Sequence, residues 1–165
     1  MNDIKVGSGW GSGGASQFPI KIEDYSWRIK LLYSHSRLPE KAHSNDMGYD
    51  LFAAETVNII SHDTALISVG IACNFPPFTG AIIKDRSSVA TKRKLFTVAG
   101  VIDNGYTGEI KVALYNSNPT EVTIISGEKI AQLLLVPTYS AQNIKIVDQL
   151  DVTSRNNSGF GSSGI

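Results

Sequence analysis

Three kinds of side chain in this sequence could cooperate in chemistry: a carboxylate beside a tight turn, a guanidinium followed by hydroxyls, and an amide inside an apolar run. The carboxylate is Asp103, in Gly100-Val101-Ile102-Asp103-Asn104-Gly105-Tyr106-Thr107-Gly108. Asn104-Gly105 between strand-like flanks predicts a hairpin with a type I′ turn, which needs positive φ at both central residues. Alone, that is a structural feature. Its neighbours add to it. Asp103 stands where a carboxylate can face a cleft, Tyr106 supplies a flat face, and Gly100 lets a ligand approach the backbone.

The guanidinium lies in Lys84-Asp85-Arg86-Ser87-Ser88. Arg86 offers a planar fork for phosphate oxygens, and Ser87 and Ser88 add donors at a helix start. The plainer alternative is a helix capped by serine with Arg86 on the surface. The amide is Gln132, in Gly127-Glu128-Lys129-Ile130-Ala131-Gln132-Leu133. Inside an apolar strand it needs partners, either backbone groups or a ligand. In Ser44-Asn45-Asp46-Met47-Gly48-Tyr49-Asp50-Leu51, Asp50 follows a glycine turn into a strand and is placed either to bind a metal through water or to cap the turn. The tail, Arg155 through Phe160, Gly161, Ser162 and Ser163, combines an arginine, an aromatic framed by glycines, and hydroxyls. A disordered end is one reading. A closing lid over a phosphorylated ring is the other, with consecutive Gly and Ser amides forming an anion nest.

These groups require a scaffold that brings distant segments together. Apolar runs at 27–33, 49–53, 66–73, 80–84, 95–102, 109–115, 122–125, 130–136 and 144–147 alternate with Gly, Pro, Asn and Ser. They are rich in Val, Ile, Leu and aromatics, and they recur at short, even spacing. That pattern predicts an all-β, jelly-roll-like barrel or sandwich. Val122-Thr-Ile-Ile followed by Ser126-Gly127-Glu128-Lys129 reads as a further hairpin. Residues 87–92 are free of breakers and suit one or two helical turns. Residues 7–17 form a Gly/Ser tract, so 1–26 is expected to be a flexible arm, 27–150 the β domain and 151–165 a mobile segment.

Lys plus Arg equals Asp plus Glu at 15 each, which argues against nucleic-acid binding by bulk charge. A local cation cluster for phosphates remains compatible with that balance. No apolar run reaches the roughly 20 residues of a membrane span, and no basic-then-apolar secretory pattern opens the chain. The one cysteine, Cys73, lies in an apolar strand and is expected to be an inert buried thiol of a reducing, intracellular compartment. His35, His43 and His62 lack metal-ligand spacing and are expected on the surface.

In this order and spacing, five of these stretches resemble the motifs of the homotrimeric dUTP diphosphatase (dUTPase) family. They are Gly48-Tyr49-Asp50-Leu51, Arg86-Ser87-Ser88, the stretch from Gly100 through Glu109, Gly127 through Leu133, and Arg155 through Gly164. The resemblance implies a jelly-roll-like barrel assembled as a homotrimer with three shared sites. It implies Mg2+-dependent hydrolysis of dUTP to dUMP and pyrophosphate, which limits uracil entry into DNA and supplies dUMP for dTTP synthesis. Asp103 would activate the water that attacks the α-phosphorus. Asp50 would hold the metal's water shell, and Arg86, Ser87, Ser88 and Gln132 would contact phosphates. The backbone at Gly100, Val101 and Ile102 would read uracil, and Tyr106 would pack under deoxyribose. Phe160 would stack on the base while Arg155, Gly161, Ser162 and Ser163 from a neighbour's tail clamp the β- and γ-phosphates. Location in the cytoplasm, or the nucleus of a eukaryotic or viral host, would follow.

Four positions depart from the family's usual residues. Asp85 replaces Pro and is expected to neutralise Arg86 in part. Asn156 replaces Gly, Lys129 replaces Arg at a position expected to be structural, and Met47 replaces Ala. The sister dCTP deaminases need a Glu in the strand after Asp103, where this chain has Ala113. Other readings of the same scaffold are a binding module without activity and a plain structural jelly roll.

Overall fold

A computed structural model describes residues 25–139 and 144–153. The elements in chain order are β1 (Arg28–Leu31), β2 (Tyr49–Phe52), β3 (Val57–Ile59), β4 (Thr64–Asn74), β5 (Thr79–Lys84), α1 (Ser87–Arg93), β6 (Leu95–Thr97), β7 (Val101–Ile102), β8 (Glu109–Asn116), β9 (Val122–Ile124) and β10 (Lys129–Pro137). They form sheets of order β1-β4-β8-β6 and β2-β10-β5-β7, with a two-stranded β3-β9 ribbon. This is the all-β, jelly-roll-like architecture expected from the spacing of the apolar runs. Every pairing among the described residues is antiparallel, and none joins strands that are neighbours in sequence.

Period-two patterning explains which faces are inside. Along β8, Ile110, Val112, Leu114 and Asn116 are buried while Glu109, Lys111, Ala113 and Tyr115 point the other way. They meet Ile67, Ile124, Ile130 and Leu133, all essentially without exposure, in one core. Each such apolar side chain contributes about 1.5–3 kcal/mol on burial. Asn116 is the polar member of that layer and is fully satisfied. Its Nδ2 donates to the carbonyls of Ile59 (2.9 Å), Ile60 (3.3 Å) and Thr120 (2.8 Å), and its Oδ1 accepts from the Asn118 amide at 2.9 Å. It thereby ties β8 to the loops bounding the β3-β9 ribbon.

Several local expectations fail for one shared reason. The run 95–102 is two strands: β6 joins β8 in one sheet and β7 joins β5 in the other. The break falls at Ala99 (φ 63°) and Gly100 (φ 109°). The Asn104-Gly105 turn does close, with the Tyr106 amide donating to the Asp103 carbonyl at 3.0 Å. Neither central residue has positive φ, so it is not type I′, and its flanking strands β7 and β8 lie in different sheets. Likewise Ser126-Gly127 turns the chain between β9 and β10, which do not pair. Both turns are corners between layers rather than hairpins. Residues 144–147 form no strand, and Ile144 and Ile146 are almost fully exposed. The three-residue β3 went unpredicted, being too short to register as an alternation.

The predicted helical turns at 87–92 appear as α1. Arg86, not a serine, is its N-cap, and no side chain caps it. Lys94 ends it in the left-handed region, its amide donating to the Val89 carbonyl. Arg93 fastens the helix through an ion pair with Glu128 and a 2.5 Å bond to the Thr123 carbonyl. Cys73 is buried, as expected, and His35, His43 and His62 are not. The expected arm at 1–26 lies outside the described residues except for its last two positions.

Candidate active site

The functional candidates fall into two clefts on opposite flanks of β5. The first, of about 280 Å3, is lined by Gly100, Val101, Ile102, Asp103 and Tyr106, with Ile83, Leu66, Glu109, Ile110 and Lys111. Its wall exists because β7 leaves the Ala99-Gly100 kink and pairs Ile102 with Ala81 and Val101 with Ile82. Gly100 is demanded by its surroundings. The Ile83 amide donates to its carbonyl at 2.8 Å, and a Cβ there would stand 2.9 Å from the Ile83 oxygen. Close packing on β5 therefore accounts for this glycine, beside the ligand approach expected from sequence. Asp103 is exposed at the lip, and the turn carrying it is pinned by Asn104, whose Nδ2 donates to the carbonyls of Pro76 (2.8 Å) and Thr79 (2.5 Å). Tyr106 is half-exposed, with its hydroxyl donating to the Glu109 carbonyl at 2.9 Å.

The second cleft, of about 420 Å3, is lined by Asp50, Arg86, Ser87, Ser88 and Gln132 together with Ala42, Asp46, Met47 and Gly48. Strand register assembles it. Gln132 lies between Asp50 on β2 and Lys84 on β5, so a polar row crosses an otherwise apolar sheet. The Gln132 amide donates to the Asp85 carbonyl at 2.8 Å, so a backbone group satisfies its Nε2. Its Oε1 lies 2.3 Å from where a Cβ on Gly48 would stand, which excludes any larger residue there without displacement of Gln132. Ser87 and Ser88 are exposed at the start of α1.

Arg86 is held in this cleft by Asp50. Its Nε donates to Asp50 Oδ1 at 2.7 Å and Nη2 to Oδ2 at 3.5 Å. Lys129 Nζ stands 2.9 Å from the same Oδ2 and 2.8 Å from Glu40 Oε1. Glu40 reaches this place because its backbone bridges that of Asp50. The two carboxylates, Glu40 first, hold the Lys129 ammonium above its ordinary pKa. Asp85 is turned away: its Oδ1 accepts from the Thr97 amide at 2.5 Å. The neutralisation of Arg86 expected from Asp85 thus comes from Asp50. Lys129 and Glu40 were not foreseen as parts of this site. The detectable signal was Lys129 itself, a lone cation opening the strand that carries Gln132.

The clefts have no lining residue in common. Ile102 pairs with Ala81 and Gln132 with Lys84, three residues further along β5 and on its other side. Strand rise and spacing then put the backbones of Asp103 and Gln132 on the order of 15 Å apart. The predicted residues Arg155, Phe160, Gly161, Ser162 and Ser163 lie outside the described residues.

A family model described as dUTPase matches residues 34–164. The deoxyuridine 5′-triphosphate nucleotidohydrolase of Crocosphaera subtropica is 39% identical, over 84% of this chain and 98% of that protein. Its counterpart in Saccharomyces cerevisiae is 34% identical, over 83% of this chain and 93% of that protein. Among solved structures, the dUTPase of Staphylococcus bacteriophage 80alpha with dUpNHpp superposes with a TM-score of 0.79 at 30% identity, covering 86% of this chain and all of that one. A mutant dUTPase of phage phi11 of S. aureus, described for the coordination of a structural Mg(II) ion, gives 0.71 at 27% identity, covering 77% and 99%.

Proposed function

Because the chain belongs to the dUTPase family, we propose that it hydrolyses dUTP to dUMP and pyrophosphate at a site built from both clefts. The observation that carries this reading is their complementary chemistry: one offers an exposed carboxylate beside a backbone wall and a tyrosine, the other a guanidinium, two hydroxyls and an amide. Asp103 accepts a proton from water as the water oxygen attacks the α-phosphorus. The bond from that phosphorus to the bridging oxygen breaks, and pyrophosphate departs. Arg86, Ser87, Ser88 and Gln132 bind the phosphates and stabilise charge on the leaving group. Gly100, Val101 and Ile102 offer backbone groups to uracil, and Tyr106 packs against the deoxyribose so that a 2′-hydroxyl is refused.

Proton transfer requires the base within hydrogen-bond reach of the attacking water. Within one chain the two clefts flank β5 on opposite sides and share no lining residue, so a single copy does not present Asp103 to a phosphate held beside Arg86. A second copy supplying the Asp103 cleft opposite the Arg86 cleft removes the difficulty, and the resemblance to the dUTPase family makes that closed assembly a homotrimer with three shared sites. The strands from Arg28 to Pro137 form that barrel. The 151–165 segment closes over a neighbour's site, with Phe160 on the base and Arg155, Gly161, Ser162 and Ser163 on the phosphates.

Mg2+ fits this donor set as an ion that arrives with the triphosphate. Among the described residues no cluster of three or more metal-ligating side chains exists, so they form no all-protein cage. Asp50 engages Arg86 and Lys129, but a carboxylate has about four acceptor sites, and Oδ1, which accepts from Arg86 Nε alone, keeps one for a metal-bound water. When bound, the ion would neutralise phosphate charge. The reaction would limit uracil incorporation into DNA and provide dUMP for dTTP synthesis in the cytoplasm.

The decisive measurement is pyrophosphate release from dUTP with Mg2+, compared with dCTP, dTTP and UTP. The expected result is rapid turnover of dUTP alone. Ammonia release from dCTP, or turnover of none of the four, overturns the proposal. Ala113 in place of the acid that deamination needs argues against the first outcome.

A further inference from the structure

We propose that Lys129 is a positioning residue that frees Arg86 for phosphate by keeping Asp50 partnered when Arg86 leaves it. The proposal rests on the reading of the Arg86 cleft as the phosphate site. Arg86 does not wait there as a free cation. Both its Nε and Nη2 face the Asp50 carboxylate, whose side chain is only 14% exposed. A phosphate must therefore compete with Asp50 for the same guanidinium. If Arg86 were the sole partner, its departure would leave a largely buried carboxylate uncompensated, which is costly.

Lys129 supplies the missing partner. Its Nζ lies 2.9 Å from Asp50 Oδ2, while the strongest Arg86 bond falls on Oδ1. Each oxygen thus carries its own principal cation, and one can leave without the other. Lys129 does not line the phosphate cleft, so it acts through Asp50. It is itself anchored by Glu40 at 2.8 Å, and Glu40 is paired in turn with Arg37 at 3.7 Å. The result is a row of alternating charge, Arg37, Glu40, Lys129, Asp50, Arg86, ending at the cleft. The ammonium also lies 5.5 Å from the Phe52 ring, which limits where it can move.

The test is a double-mutant cycle on the full chain, read by calorimetric binding of inorganic pyrophosphate and by dUTP turnover. Lys129→Met is expected to weaken pyrophosphate binding about tenfold. KM for dUTP should rise similarly, with kcat within a factor of about two. Lys129→Arg should restore both values. In an Arg86→Met background, Lys129→Met should have no further effect. Equal losses in both backgrounds would mean that Lys129 acts by bulk attraction, and the proposal falls. A Lys129→Met protein that binds pyrophosphate like the parent also overturns it, while leaving the dUTP assignment intact. If the parent turns over dUTP but Arg86→Met binds pyrophosphate normally, Arg86 is not the phosphate ligand and the proposal fails. If Lys129→Met does not fold, the decision passes to Glu40→Gln. That change leaves Lys129 to Asp50 alone and should tighten pyrophosphate binding only while Arg86 is present; equal tightening without Arg86 overturns the proposal.

Discussion

Arg86 and Asp50 form a two-point ion pair across the phosphate-side cleft, Nε to Oδ1 at 2.7 Å and Nη2 to Oδ2 at 3.5 Å. The contact joins the end of β5 to β2, two strands that are not themselves adjacent but flank β10. It is therefore a tertiary tie as well as a feature of the site. With 27% and 14% of the two side chains exposed, solvent screens the pair only in part. Asp50→Asn is expected to lower unfolding free energy by about 2 kcal/mol, the scale of a charge-assisted bond lost. Urea unfolding in low and high salt measures it; a loss that vanishes in high salt would mark the pair as a surface contact.

Asp103 lies at the lip of the other cleft on a turn that Asn104 pins to β5 and to the segment before it. Asp103→Asn preserves shape and removes the proton acceptor. Turnover of dUTP is expected to fall by a factor of about 100 to 10,000, with nucleotide affinity retained. Steady-state rates paired with equilibrium binding of dUMP decide it. An Asp103→Asn variant that remains active would remove Asp103 from the role of base.

Gly100 combines φ of 109° with a backbone approach that leaves no space for a Cβ. Gly100→Ala should cost about 1–3 kcal/mol from the strained conformation, plus whatever shift of Ile83 relieves the 2.9 Å contact. Thermal unfolding gives the stability. The same variant should lose activity below its melting temperature, because the shifted strand is the wall next to Asp103.

Asn116 fills a core position where its amide satisfies three carbonyls. Asn116→Leu would strand those oxygens, at about 1–3 kcal/mol for each one that water cannot reach. A drop in melting temperature of many degrees is expected, or no soluble protein. Asn116→Asp, which keeps the acceptor and loses the donor, should fall near the same value; if it is harmless, the donor bonds are not what holds the loops.

Burial pushes the Cys73 thiol above its ordinary pKa of 9.0, with a smaller opposing contribution from Trp27. The folded state then holds its proton more tightly than the unfolded chain. That contribution is complete below 9.0 and is lost as pH rises through the folded pKa. Lys129, held above 10.5 by Glu40 and Asp50, has the same sign at still higher pH. Unfolding free energy should fall in alkaline solution, and Cys73→Ala should flatten the earlier part of that fall. Thiol-reagent labelling of Cys73 should be slow until the protein unfolds.

Fold class, the helix at 87–93 and the chemical types at the site are legible in the order of residues alone. Alternation, turn residues and motif order are local properties, and each can be read within about a dozen residues. The same local reading puts Asp50 and Gln132 in strands, where a polar residue needs an explanation. Strand pairing is not local, and it came only with the folded chain. Asn104-Gly105 and Ser126-Gly127 carry turn chemistry that serves a hairpin or a corner equally well, and in this jelly roll the corner wins because consecutive strands belong to different sheets. The same layering makes Arg86 meet Asp50 rather than its neighbour Asp85. It also brings Lys129 and Glu40 to the phosphate side. Those contacts join residues 36 to 89 positions apart, and a separation of that size leaves no periodicity in sequence to announce it.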